Sequence, residues 1–215
     1  MSPRKTFEQE LDKLLEQLEQ MSHIVECSYK DLFDALKIKD KTAIERIVKS
    51  DRNINNMQRE IESQCLMIIT KQQPVAGDLR IVSSVLKAVT DIERVGDHVS
   101  DMAELMLRIN MNQLAEYSLH LEGMVIATKE LFMNAVEAFV NDDPAASKSV
   151  ISGDDVIDNL FNKVKNDIIN GLKVEVKNAD EYIDILMITK YLEKIGDHAV
   201  NVAEWQIFRK TGVLA

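Results

Sequence analysis

The sequence predicts an all-α protein of two tandem three-helix bundles, six long helices related by internal duplication. Three observations predict it. Apolar residues recur every three and four positions through most of the chain, the period of a one-sided helix. Turn formers are scarce: there are seven Gly and three Pro in 215 residues, and neither occurs from Arg4 to Gln73. A β protein needs more turn chemistry than that. Finally, DIERVGDHVSD at residues 91–101 returns as LEKIGDHAVN at 192–201. Glu93, Gly96, Asp97 and His98 thereby match Glu193, Gly196, Asp197 and His198, each 100 positions on.

The first helix follows from Phe7, Leu11, Leu14, Leu18, Met21 and Val25, continues through Tyr29, Leu32 and Phe33, and breaks near Lys37–Lys41. The second runs from about Thr42 to Thr70 through Ile44, Ile47, Ile54, Ile61, Cys65 and Ile68. Pro74 and Gly77 punctuate the next loop, and Asp78 is an acceptable N-cap for a third helix carrying Val85, Val89, Ile92, Val99 and Met106. The second half repeats the plan. One helix covers roughly 113–140 and ends at Asn141-Asp142-Asp143-Pro144, a turn with proline at a helix start. The next covers about 144–170, with Gly171 as a C-cap candidate. The last runs from about Ala179 to Lys210. Other blocks match in the same order: Lys30-Asp31-Leu32-Phe33 with Lys129-Glu130-Leu131-Phe132, and Asp51 to Met57 with Asp154 to Leu160. The repeats therefore divide into residues 1–111 and 112–215.

Composition limits the function. The net charge is −10, and both halves carry excess acid. Nucleic acid and anionic membrane surfaces need a basic footprint, so both are poor partners. The N-terminus lacks the apolar core of a signal peptide, and no apolar run is long enough to span a bilayer, so a cytoplasmic location is expected. Cys27 and Cys65 sit in apolar-periodic contexts and are expected as reduced, buried thiols.

On a helical wheel centred on Ile92, the apolar seam Val85, Val89, Ile92, Gly96, Val99 spans about −20° to 60°. Glu93 falls near 100°, Glu104 near 120°, Asp97 near 140° and Asp101 near 180°. Carboxylates thus line the edge of the buried face, where like charges at i,i+4 repel unless a cation is present. The middle helix adds Asp51 and Asn55 in the first repeat and Asp154 and Asp158 in the second. Oxygen donors converging from two helices suit a hard cation. The candidate ligands are Glu93, Asp97, Asp101 and Asp51, with Glu193, Asp197, Asp154 and Asp158. The expected cofactor is iron or another hard di- or trivalent cation, with zinc as an alternative, and a multinuclear site is open. A solvated acidic face is the competing explanation. Asn201 replaces Asp101, and Asp158 replaces Asn55, so the two sites should differ. His98 lies near −120°, away from Asp97, which favours packing or partner contact over ligation. Gly96 and Gly196, in mid-helix on the seam, predict close approach of a neighbouring helix.

The Glu-x-x-His motif of di-iron carboxylate oxidases is missing, as are a P-loop, a nucleophile elbow and Cys-x-x-Cys. A non-enzymatic role is expected, with a carboxylate-bridged metal-storage or redox protein as the alternative.

Two three-helix repeats, each with ERxGDH or EKxGDH on its third helix, and QQPVAGDLR at residues 72–80, resemble the PhoU family of phosphate-transport regulators along nearly the whole chain. The resemblance implies a negative regulator of phosphate uptake and of the phosphate-starvation response. It implies an adaptor between the cytosolic side of a phosphate ABC transporter and a sensor histidine kinase, without DNA binding. It further implies metal clusters on the E(D)xxxD motif, here Glu93 and Asp97 with Glu193 and Asp197; Asp101 fits the continuation of the motif and Asn201 departs from it. A homodimer is also implied, with Trp205 and Phe208 open to either an interface or the core.

Overall fold

Long amphipathic runs with few breakers fold as long helices, and the computed structural model shows six among the residues it describes. These are residues 3–110, 120–174 and 176–213, with the side chains of residues 3, 4, 51 and 176 excepted. The helices are α1 (Pro3–Ile38), α2 (Lys41–Gln72), α3 (Gly77–Met106), α4 (Leu121–Val140), α5 (Pro144–Val174) and α6 (Ala179–Thr211). A single 3₁₀ turn, Val176–Asn178, precedes α6. No strand occurs among the described residues. The expected start of the fourth helix near residue 113 and the repeat boundary at 111/112 lie outside the described residues.

Local chemistry sets the helix ends, and it corrects two expectations. Asp78 is not the N-cap of α3. The helix starts at Gly77 behind Ala76, which has φ of 46°, and Asp78 stands in the first turn, where its charge suits the helix dipole. Nor does Gly171 end α5, which runs on to Val174. A Cβ on Gly171 would lie 2.3 Å from the Tyr182 hydroxyl, so the glycine admits the tyrosine of α6 rather than stopping the helix. The other turns follow the sequence. Asp40 caps α2 by accepting from the Ala43 amide at 3.0 Å. Asp143 caps α5 by accepting from the Ala145 and Ala146 amides at 2.9 and 3.0 Å.

The helices form two three-helix bundles, α1–α3 and α4–α6, joined mainly through α3 and α6. Those two run antiparallel. Asp91 of α3 meets His198 and Asn201 of α6, while Arg80 at the start of α3 lies beside Gly212 at the end of α6. α1 and α4 make a smaller contact, in which the Tyr29 hydroxyl donates to the Val125 carbonyl at 2.8 Å and Lys129 pairs with Glu26 at 3.1 Å. Because α6 touches α3, α4 and α5, its buried residues, among them Tyr182, Ile188, Leu192, Ile195 and Val202, are not confined to one narrow stripe. Leu14, Leu18, Val89, Ile92, Phe139, Leu192 and Ile195 are wholly buried, each such side chain contributing roughly 1.5–3 kcal/mol of transfer free energy.

Cys65 is buried as expected, and burial pushes its thiol up to about 12, with Glu62 adding to the shift. Cys27 departs from expectation: it is exposed, with its sulfur 3.6 Å from His23 Nε2.

Candidate functional site

The repeated motif sits midway along the central antiparallel pair, so both copies lie near the seam between the repeats. Gly96 and Gly196 are buried where α3 and α6 meet their middle helices. A Cβ on Gly96 would lie 3.0 Å from Ile54 of α2, and one on Gly196 would lie 3.1 Å from an Asp154 oxygen of α5. The expected close approach is present in both repeats. In the second it brings a carboxylate against the motif.

Glu93 and Glu193 come one residue after a buried position on the seam and are themselves mostly buried, with side chains 12% and 15% exposed. Each motif carries its own cations. In the first repeat Arg94 donates to Asp97 at 2.8 Å and stands 3.7 Å from Glu93. In the second Lys194 pairs with Asp197 and stands 3.5 Å from Glu193, which Lys190 reaches at 2.6 Å. The hydrogen bond to Asp197 leads the effects that raise the Lys194 ammonium pKa. Lys190 also lies 5.4 Å from the centre of the Phe161 ring, a cation–π contact.

Asp154 shows where negative charge gathers. Burial pushes its carboxyl up to about 6, and Asp158, Asp197, Glu193 and Asp155 push in the same direction. Asp154, Asp158, Glu193 and Asp197 therefore share one acidic region between α5 and α6. The matching α2 position is Asp51, whose side chain lies outside those described. All these donors are oxygens, which suits a hard cation. Among the described residues, however, no three Asp, Glu, His or Cys side chains are arranged to hold a metal ion. The donor chemistry fits a metal, whereas in this arrangement lysine and arginine pair with the motif acids, and Glu193 Oε2 is buried in its ion pair without a well-aligned hydrogen bond.

Asp101 faces different partners. It lies close enough to the Tyr191 hydroxyl across the seam to act on its proton, and its carboxylate stands 3.8 Å from His98 Nδ1. Burial first, then Asp101, raises the Tyr191 pKa. The other side of the seam reverses this group: His198 Nδ1 meets Asp91 at 2.9 Å and the Asn201 amide donates to the same oxygen at 3.0 Å. Between the two groups the rings of His98 and His198 stand 5.5 Å apart, and His98 lies 5.2 Å from the Tyr191 ring. The histidines thus pack against each other. Burial, aided by the nearby His198, lowers the His98 pKa.

A family model described as the PhoU domain matches residues 18–106 and matches again at 121–206. The chain belongs to the PhoU family. The PhoU homolog of Clostridium acetobutylicum, a phosphate-specific transport system accessory protein, is 33% identical over 210 residues, spanning 97% of this chain and 96% of that one. The crystal structure of the phosphate transport system regulatory protein PhoU from Streptococcus pneumoniae superposes with a TM-score of 0.89 at 28% identity, covering 97% of this chain and 99% of that one. PhoU from Pseudomonas aeruginosa gives 0.88 at 27% identity, covering 96% and 100%.

Within this PhoU chain, sequence reasoning missed two sets of residues. Arg94, Lys190 and Lys194 are each three positions before a motif acid, a spacing that puts side chains on one helix face. Asp91 and Tyr191 occupy equivalent positions, and their exchange accompanies that of Asp101 and Asn201. In an antiparallel pair those two positions meet, which the sequence alone did not display.

Proposed function

We propose that this chain is a regulatory accessory protein of phosphate transport and no enzyme. It represses phosphate uptake and the starvation response when phosphate is abundant. The observation that carries this is the near end-to-end match, over both repeats, to a relative named as a phosphate-specific transport system accessory protein. The work is steric: the helical body bridges the cytosolic side of a phosphate ABC transporter and a sensor histidine kinase, favouring the kinase's signal-off state. No helix among the described residues is long and apolar enough to cross a membrane, which supports docking by protein contacts in the cytoplasm. We assign the active form as a homodimer.

The carboxylates belong to this proposal as a cation site. Glu193, Asp197, Asp154 and Asp158 would hold iron or a similar hard cation in the second repeat. Glu93 and Asp97, with Asp51 as a further donor, would do so in the first, whereas Asp101, a candidate on sequence, turns to His98 and Tyr191 instead. A bound cation supplies charge neutralisation and open positions for acidic groups of a partner. The chain's residues do the rest: α5 and α6 gather the oxygens, and Gly196 lets the two helices close on each other.

Deleting the protein in cells grown with abundant phosphate tests the regulatory role. Phosphate uptake and starvation-gene expression should both rise. If neither moves, the proposed role is wrong.

A further inference from the structure

We infer that Arg94, Lys190 and Lys194 are built-in counter-ions of the two acidic motifs, holding the carboxylates apart from a cation until one displaces them. This rests on the cation-site reading above and adds what controls it. Every described acid of the two E-x-x-x-D motifs is already engaged by a base from its own helix: Arg94 with Glu93 and Asp97, Lys190 with Glu193, and Lys194 with Glu193 and Asp197. The i,i+3 spacing keeps these bases within reach without rearranging the backbone. Lys190 is steadied further by Phe161.

A divalent cation and an ammonium group cannot share one carboxylate oxygen at contact distance without strong repulsion. Loading therefore requires the bases to swing outward. Arg94 is more than half exposed, and Lys190 and Lys194 are each over two-fifths exposed, so all three side chains border solvent. The repeats are armed differently. The second has two lysines, whereas the first has Arg94 and Thr90 at the position matching Lys190. Loading thus does two things at one place: it closes the acids onto a cation and delivers free positive side chains to the surface of the α3–α6 pair.

The test is Mn²⁺ titration of the full-length protein by calorimetry at fixed ionic strength. Lys190→Met/Lys194→Met and Arg94→Met are compared with the unaltered chain. Removing the competing base should tighten binding at the altered repeat by about tenfold or more. Lys194→Arg should stay near the unaltered affinity, and Glu193→Gln/Asp197→Asn should abolish binding in the second repeat. A second readout follows Lys190 and Lys194 by amine acetylation and mass spectrometry, with modification expected to rise on adding Mn²⁺ while that of Lys87 stays level. If the unaltered chain binds Mn²⁺ and the lysine and arginine variants bind it equally or more weakly, the counter-ion inference falls and the cation site survives. If no form binds, both fall.

Discussion

At the residue scale, two substitutions separate close packing from charge. Gly171→Ala replaces a poor helix former with the best one, a gain of about 1 kcal/mol on an open helix. Here the added methyl meets three Tyr182 atoms at 2.3 to 2.5 Å. Tyr182 is buried, so it has little room to move. The net effect should be destabilisation by about 1–3 kcal/mol, read from urea unfolding. Tyr182→Leu in the same chain should restore part of it. Asp154 tests charge. Its folded pKa, about 6, lies above its unfolded value, so proton binding favours the fold. That contribution is complete below the unfolded pKa, near 4, and is lost as pH rises through 6. In metal-free protein Asp154→Asn should therefore be more stable than the unaltered chain at pH 8. The difference should be up to about 1 kcal/mol, because partial exposure screens the site, and should vanish near pH 4. A difference that stayed constant with pH would show that ionisation of Asp154, against its burial and the neighbouring acids, is not its cause.

At the scale of elements, periodicity in the sequence revealed what packing uses and missed what neighbours impose. The helices were legible because Leu14, Leu18, Val89 and Ile92 repeat at helical spacing and are all buried. Gly171 was not, because a glycine near a helix end has the same local signature whether it stops the helix or admits a side chain from elsewhere. The motif acids were legible as a stripe beside the core, and Glu93 and Glu193 are mostly buried there. Their bases, and the turn of Asp101 toward Tyr191, depend on which helix lies opposite. The seam therefore supplies its own test. Asp91 is the shared acceptor for His198 and Asn201. Asp91→Ala removes both bonds and should cost about 1–3 kcal/mol in urea unfolding. Asp91→Asn keeps one acceptor oxygen and should cost less. Equal losses would mean that the carboxylate's charge, rather than its hydrogen bonds, holds the seam.

For the whole molecule, the issue is whether duplication left two folding units or one. Each repeat has a complete three-helix plan, and the family model matches them separately. Among the described residues the α3–α6 contact nevertheless exceeds every contact within either bundle, and α6 buries apolar side chains against three helices. A bundle released from its twin would expose that apolar area to water, a larger loss than a short linker could offset. The full chain should therefore melt in a single calorimetric transition whose calorimetric and van't Hoff enthalpies agree. Asp91→Ala, which weakens the seam, should lower that transition without dividing it. Two resolved transitions in the unaltered chain would instead make the repeats independent, and the polar groups between them would then orient the bundles without stabilising them. A single transition ties the motifs together through folding: a cation bound in one repeat would stabilise both, because neither unfolds alone.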